Sequence, residues 1–160
     1  MGGSTVLASQ LVAGPVYAID SDREWLRKVL ESIAPSIYRR DLIHVDIGPT
    51  VEWGYPSSND KPERFRNYHA AVAQASPKKI DLCLVDGRFR IACFLQALRH
   101  LRADAVIGMH DYRSRPNFHV IEQFARPIAE AEDLTFFVRN HNHDAGALHK
   151  ALEANWANAS

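Results

Sequence analysis

The residues best suited to chemistry stand at the ends of short apolar runs. Asp86 follows Ile80-Asp-Leu-Cys-Leu-Val85 and is itself followed by Gly87, and His110 and Asp111 follow Ala105-Val-Ile-Gly-Met109. Asp20 follows Pro15-Val-Tyr-Ala-Ile19, and Asp46 lies near the end of Leu42-Ile-His-Val-Asp-Ile47. If the runs are strands, each carboxylate sits at a strand's carboxyl end, where open α/β sheets bind ligands, and a glycine after it lets the backbone turn sharply. His110 adds a group whose ordinary pKa lies near neutrality, suited to general-base work. A histidine satisfied beneath a loop is the plainer explanation for it.

The elements that must hold these residues follow from periodicity. The run ending at Val85 is nearly continuous in apolar residues, as expected of a central strand covered on both faces in a parallel sheet. Ile91, Phe94, Leu95, Leu98 and Leu101 then recur at helical spacing. The unit repeats along the chain. A helix is expected near Ser4 with Val6, Leu7, Gln10 and Leu11 in an amphipathic pattern, followed by a strand over 15–20. Ser21-Asp22-Arg23-Glu24 reads as a capping box opening a helix with Trp25, Leu26, Val29, Leu30 and Ile33 on its buried stripe. A strand over 42–47, a helix marked by Phe65, Tyr68, Val72 and Ala75, and strands over 105–109 and 134–138 come next. Phe118, Val120, Ile121 and Phe124 suggest one more helix, and Leu148, Leu152 and Trp156 a last one, with residues 155–160 expected to fray. Strands alternating with helices predict an α/β fold with a doubly wound, mostly parallel sheet.

Bulk composition narrows the function. The chain has 160 residues, 46% of them hydrophobic, enough for one domain (1–160) with a real core. Nineteen basic residues balance nineteen acidic ones, which disfavours nucleic acid and anionic membrane as partners. Cys83 and Cys93 fall on predicted buried positions and act as small hydrophobes, in keeping with a reducing, cytoplasmic setting. No long apolar run or leader pattern is present in the sequence.

Several groups invite a binding role. Gly2-Gly3 before a helix, with a strand ending in Asp20 about fifteen residues on, is the arrangement that holds a nucleoside, the acid accepting hydrogen bonds from ribose hydroxyls. A glycine-rich start and an ordinary aspartate explain the same residues equally well. Arg-x-Arg recurs beyond successive strands as Arg64 and Arg66, Arg88 and Arg90, and Arg113 and Arg115. These loops would open on one sheet edge and favour an anionic substrate, whereas pairing with Asp86, Asp111, Glu63 and Glu52 would make them structural. The fifteen residues from Gly48 to Pro62, with Trp53 and Tyr55, are a candidate substrate wall or lid, to which Tyr112 could contribute. The His141-Asn142-His143-Asp144 run matches no familiar metal-ligand spacing.

In order and spacing, Gly-Gly-Ser-Thr, Val-Tyr-Ala-Ile-Asp, Val-Asp-Ile, Leu-Val-Asp-Gly-Arg and Ile-Gly-Met-His-Asp-Tyr resemble the class I S-adenosylmethionine-dependent methyltransferases over residues 2–125. They are most similar to small-molecule O-methyltransferase-like proteins. The resemblance implies a Rossmann-like methyltransferase fold that uses S-adenosylmethionine. Gly2 and Gly3 would belong to the cofactor loop, Asp20 would hold the ribose, Asp46 with Ile47 would meet the adenine, and Asp86 would lie at the reacting end. Catalytic work would fall to Asp86, His110 and Asp111, and substrate binding to Arg88, Arg90, Arg113 and Tyr112. In the metal-dependent branch Asp86 and the Asp111-Tyr112 positions would bind a divalent cation; here tyrosine replaces the expected asparagine, which weakens that expectation and leaves Asp86 and Asp111 as its only candidate ligands.

The family's first strand, which precedes the glycines, has no counterpart here, so the chain reads as N-terminally truncated. The strands over 15–20 and 80–85 would then each keep an edge for a missing neighbour, supplied by an upstream segment. The leading expectation is methyl transfer to an oxygen, or secondarily a nitrogen, of a small anionic acceptor, with a homodimer allowed as an assembly. The rival is a non-catalytic, methyltransferase-like interaction module. A nucleotide-binding oxidoreductase is disfavoured because Gly-x-Gly-x-x-Gly is absent.

Overall fold

The computed structural model describes residues 3–142 and 144–160, and divides into two compact units, Met1–Ala71 and Val72–Ser160. Among the described residues no helix is long and apolar enough to cross a membrane.

In the first unit, α1 (Gly3–Leu11) leads to β1 (Val16–Asp20), α2 (Arg23–Ser32), β2 (Arg40–His44) and α3 (Glu63–Ala70). β1 and β2 pair in parallel, with Val16 opposite Arg40 and Asp20 opposite His44. Asp22, rather than Ser21, caps α2: its side chain accepts from the Trp25 N–H at 2.9 Å. Glu24 is therefore not drawn back into a capping box and pairs with Arg27 one turn on. The apolar side of α1 is not buried as the pattern suggested, since Leu7 and Leu11 are both exposed and Ser9 is the buried residue. β2 also ends earlier than expected. Asp46 and Ile47 thus belong to the turn after the strand, and Ile47 is buried there.

In the second unit, β3 (Leu82–Val85), α4 (Arg90–His100), β4 (Val106–His110), β5 (Ala125–Ala131), β6 (Leu134–Arg139) and α5 (Ala145–Asn155) build a four-stranded sheet in the order β3-β4-β6-β5. β3 and β4 run parallel, whereas β4–β6 and β5–β6 are antiparallel, with a register irregularity between Pro127 and Ala129. The four-stranded sheet is therefore mixed and the two-stranded sheet of the first unit parallel, an α/β fold in which the ladders do not establish the expected doubly wound, mostly parallel sheet.

Three further expectations are corrected. β3 is an end strand of its sheet rather than a covered central one: Leu82 and Leu84 are exposed and only Val85 is buried. An apolar run records what a strand can bury, not which neighbours cover it. β5 escaped detection because its pattern, Ala-Arg-Pro-Ile-Ala-Glu-Ala, has no apolar alternation; all but Ala125 are exposed, as suits an edge strand carrying charges and a proline. The helix expected around Phe118 is a 3-10 segment, Pro116–Gln123. The C-terminal residues do not fray, since the Ser160 carbonyl accepts from the Arg90 N–H and Asn117 Nδ2 donates to Ser160 Oγ.

The core of this unit is aromatic. Phe89, Phe94, Phe118, Phe124 and Phe137 are among its fully buried side chains, and Phe94 meets Phe137 edge-on at 5.4 Å. Gly108 in β4 lies against Phe136 and Leu134 so closely that a Cβ there would fall 3.2 Å from Phe136 Cε1.

Candidate active site

The strand ends of the second unit gather one polar cluster. β3 and β4 are parallel neighbours with Val85 opposite Met109, so the residues that follow them, Asp86 and His110, emerge side by side. His110 Nδ1 stands 3.1 Å from Asp86 Oδ1 and 3.1 Å from Asp111 Oδ1, between the two carboxylates without hydrogen-bond alignment to either. The imidazole is half exposed, so it reaches both the carboxylates and the outside.

Arg90, in the first turn of α4, fixes this cluster from beneath. Its side chain is 4% exposed and its Nη1 lies 2.6 Å from Asp111 Oδ2, with Nη2 3.7 Å from Asp86 Oδ1. The same guanidinium donates to the backbone carbonyls of Gly87 (Nε, 3.0 Å) and His110 (Nη1, 3.2 Å) and packs over the Phe118 ring at 6.0 Å. Arg115 adds a second contact to Asp111 Oδ2 at 3.2 Å and covers the Phe118 ring at 5.5 Å. The Arg90 hydrogen bond is the chief reason the Asp111 carboxyl is held below the usual carboxylate range, against an opposing effect of burial.

Two backbone positions here are strained. Phe89, the residue before α4, has φ 53° and Asp111 has φ 59°, left-handed values that a side chain ordinarily avoids. At Phe89 the turn swings a fully buried ring inward while Arg90 begins the helix. At Asp111 it returns the carboxylate to face its neighbours His110 and Arg90.

The remaining expected residues of this unit divide. Arg88 is buried. Arg113 turns to Glu130, 3.3 Å away in β5. Tyr112 is buried, its ring packed on His119 and Phe137 and its hydroxyl donating to Glu122 Oε1; burial first, and then this hydrogen bond, push its pKa up. Among the described residues no group of three or more histidine, cysteine, aspartate or glutamate side chains has an arrangement suited to a metal ion. The donor set itself does not fit one: both Asp111 oxygens already face cations or His110, and Tyr112 is turned into the core.

The first unit carries its own acids. Asp20, at the end of β1, accepts from the Asp22 N–H at 2.9 Å, and burial raises its pKa despite that bond. Asp46 accepts from the Gly48 N–H at 2.8 Å and from Arg64 Nη1 at 2.9 Å; the Gly48 bond is the first cause of its lowered pKa. Gly48 makes that turn with φ +90°. Gly3 opens α1, where a Cβ would meet nothing within 4 Å, and Gly2 lies outside the described residues. His44 was not singled out by sequence reasoning. Its Nδ1 faces Arg23 Nη2 at 3.3 Å and its Nε2 faces the Ser21 carbonyl at 3.2 Å. Since arginine can only donate and a carbonyl only accept, Nε2 carries the proton, and the ring braces the turn that presents Asp20. Trp53, in the long loop, is exposed with φ 62°.

No protein-family model and no curated protein matches the chain. A solved structure does. A methyltransferase-like protein from Silicibacter pomeroyi superposes with a TM-score of 0.83 at 30% identity, over 98% of this chain and 83% of that one. The chain belongs to the methyltransferase-like proteins. That membership supports methyl transfer as the general chemistry.

Proposed function

We propose that the protein is a class I S-adenosylmethionine-dependent methyltransferase acting on an oxygen, or secondarily a nitrogen, of a small anionic acceptor. The single observation that carries the reading is His110 between Asp86 and Asp111, with Asp111 clamped by Arg90. Two carboxylates facing Nδ1 favour the tautomer with the proton there, which leaves the Nε2 lone pair to accept one. Displacement at a sulfonium methyl needs an in-line acceptor stripped of one proton, so a held base and a positioned acceptor are what the chain must supply.

The fit to the cofactor rests on Asp20. Its carboxylate is desolvated at a strand end, with a hydrogen bond from its own turn and burial still disfavouring its charge. Ribose hydroxyls donating to it would relieve that cost. Asp20 would hold the ribose and the Asp46-Ile47 turn the adenine; the cofactor, when bound, supplies an activated methyl group. Arg88 would meet the acceptor's anionic group, as the family resemblance implies, whereas Arg90, Arg113 and Arg115 face carboxylates. His110 takes the acceptor's proton, Asp86 and Asp111 orient its ring, and Arg90 is a positioning residue.

A second reading, a methyltransferase-like interaction module without catalysis, is favoured by exposed Leu82 and Leu84 on β3. Equilibrium titration with S-adenosylhomocysteine and, separately, with NAD distinguishes the readings. Saturable binding of S-adenosylhomocysteine alone is expected. Binding of neither would favour the module, and binding of NAD alone would make the chain an oxidoreductase.

A further inference from the structure

A cavity of about 230 Å³ lies elsewhere in the second unit, lined by Leu98, Arg99, Arg139, Ala145, Leu148 and His149. It is removed from the Asp86–His110–Asp111 cluster. Arg90 and Arg99 are nine residues apart on α4, about 13 Å at 1.5 Å per residue.

Its walls combine aliphatic surface with basic groups. Leu98 and Leu148 are buried, and with Ala145 they give the cavity its apolar side. Arg99, Arg139 and His149 line the rest, and none of the three has a carboxylate partner among the described residues. Arg139 is the informative one. Its Nε is enclosed with no hydrogen-bond partner among the described residues, and its Nη2 reaches only the Leu101 carbonyl, at a long 3.5 Å. Burial holds its pKa below the ordinary arginine value, and no neighbouring charge opposes that shift. Enclosed guanidinium edges are ordinarily paired, and leaving one unmatched is costly. Asp144, the acid next to the lining in sequence, is engaged in capping α5, its Oδ1 accepting from the Gly146 N–H at 2.7 Å.

A guanidinium at the wall of a partly enclosed cavity attracts an anionic group more strongly than one in open water. Liquid water occupies roughly 30 Å³ per molecule, so the cavity has room for about seven or eight waters, or an organic molecule of about ten heavy atoms. We propose that this cavity is a second ligand site, separate from the methyl-transfer residues, which binds a small organic carboxylate with its acid group on Arg139 and its apolar body against Leu98, Ala145 and Leu148. Arg99 and His149 surround the anion and set the site's preference for negative charge.

The test is backbone amide NMR of the full chain titrated with benzoate, with its neutral isostere benzamide and with inorganic phosphate. Benzoate is expected to give saturable shifts confined to the last turn of α4 and the first turns of α5. Binding should weaken at least tenfold in Arg139→Gln and measurably in Arg99→Gln, and both benzamide and phosphate should bind more weakly than benzoate. Equal binding of benzamide would remove the role of the charge, and equal binding of phosphate would remove the apolar body. Unchanged benzoate affinity in Arg139→Gln, or shifts centred on Asp86 and His110, would overturn the assignment. Should Arg139→Gln not fold, the exposed Arg99→Gln decides by itself, since an unchanged affinity there refutes a cationic site. S-adenosylhomocysteine binding is not a readout, so this outcome is independent of the methyl-transfer reading.

Discussion

Replacing Arg90 by methionine removes the charge that holds the strand-end cluster together while keeping most of the side chain's volume. The guanidinium is 4% exposed, 2.6 Å from Asp111 Oδ2, and hydrogen-bonded to the Gly87 and His110 carbonyls. Deleting one partner of a buried ion pair costs about 3–5 kcal/mol, because the other charge stays desolvated. Asp111 keeps Arg115 at 3.2 Å and is 26% exposed, so the cost belongs at the low end, about 3 kcal/mol. For a chain of this size that is a fall in melting temperature of about 6–12 °C. The pH dependence provides a second, more specific readout. Arg90 is the main cause of Asp111's depressed pKa, so the pair contributes stability that is present above the unfolded aspartate value, about 3.9, and is lost as pH falls through the lower folded value. Thermal melts of wild type and Arg90→Met should therefore differ fully at pH 6–7 and draw together as pH falls below about 4, leaving the smaller, pH-independent loss of the two carbonyl hydrogen bonds. A gap under about 1 kcal/mol at pH 7, or one that stays constant into acid, would refute the assignment of Arg90 as the buried partner of Asp111.

Three other outcomes are expected. Asp20→Ala should weaken S-adenosylhomocysteine binding by about 2–4 kcal/mol with little change in melting temperature, as calorimetry would show, because it removes about two charge-assisted hydrogen bonds and little packing. His110→Gln should lower kcat by about 10²- to 10⁴-fold while leaving cofactor affinity unchanged in the same titration; an unaltered kcat would remove His110 as the base. Gly108→Ala should destabilise the fold by about 1–3 kcal/mol in chemical denaturation, since the added Cβ meets the Phe136 and Leu134 side chains at 3.2–3.3 Å.

Much of the local structure is legible in the sequence because it depends on local causes. The stripe Ile91, Phe94, Leu95, Leu98 is buried on α4 as its spacing implies, and Asp86 and His110 do emerge from adjacent parallel strands. What escaped is whatever depends on a neighbour's identity. Leu82 and Leu84 have the composition of a strand covered on both faces, yet both are exposed. β5 lacks an apolar pattern because an edge strand in water needs none, and its place follows only from pairing with β6. His44 gives no signal in sequence, since its importance lies in facing Arg23 and the Ser21 carbonyl across two elements.

The arginine pairs show the same limit at the level of chemistry. Arg88 and Arg90 are alike in type and two residues apart, which in a regular strand would put them on one face. The left-handed turn at Phe89 breaks that relation, so Arg90 enters the first turn of α4 and meets Asp111 from below. Arg113 and Arg115 part in the same way, one to Glu130 and the other to Asp111. One member of each pair, Arg90 and Arg115, thus meets Asp111 and shapes the site instead of the substrate. The consequence for mechanism is that His110 is oriented through Asp111, and Asp111 through Arg90. The residues that would tune the base are then also those that stabilise the strand ends, and substitutions there should change activity and melting temperature together, whereas His110, half exposed and fixing nothing beneath it, should change activity alone.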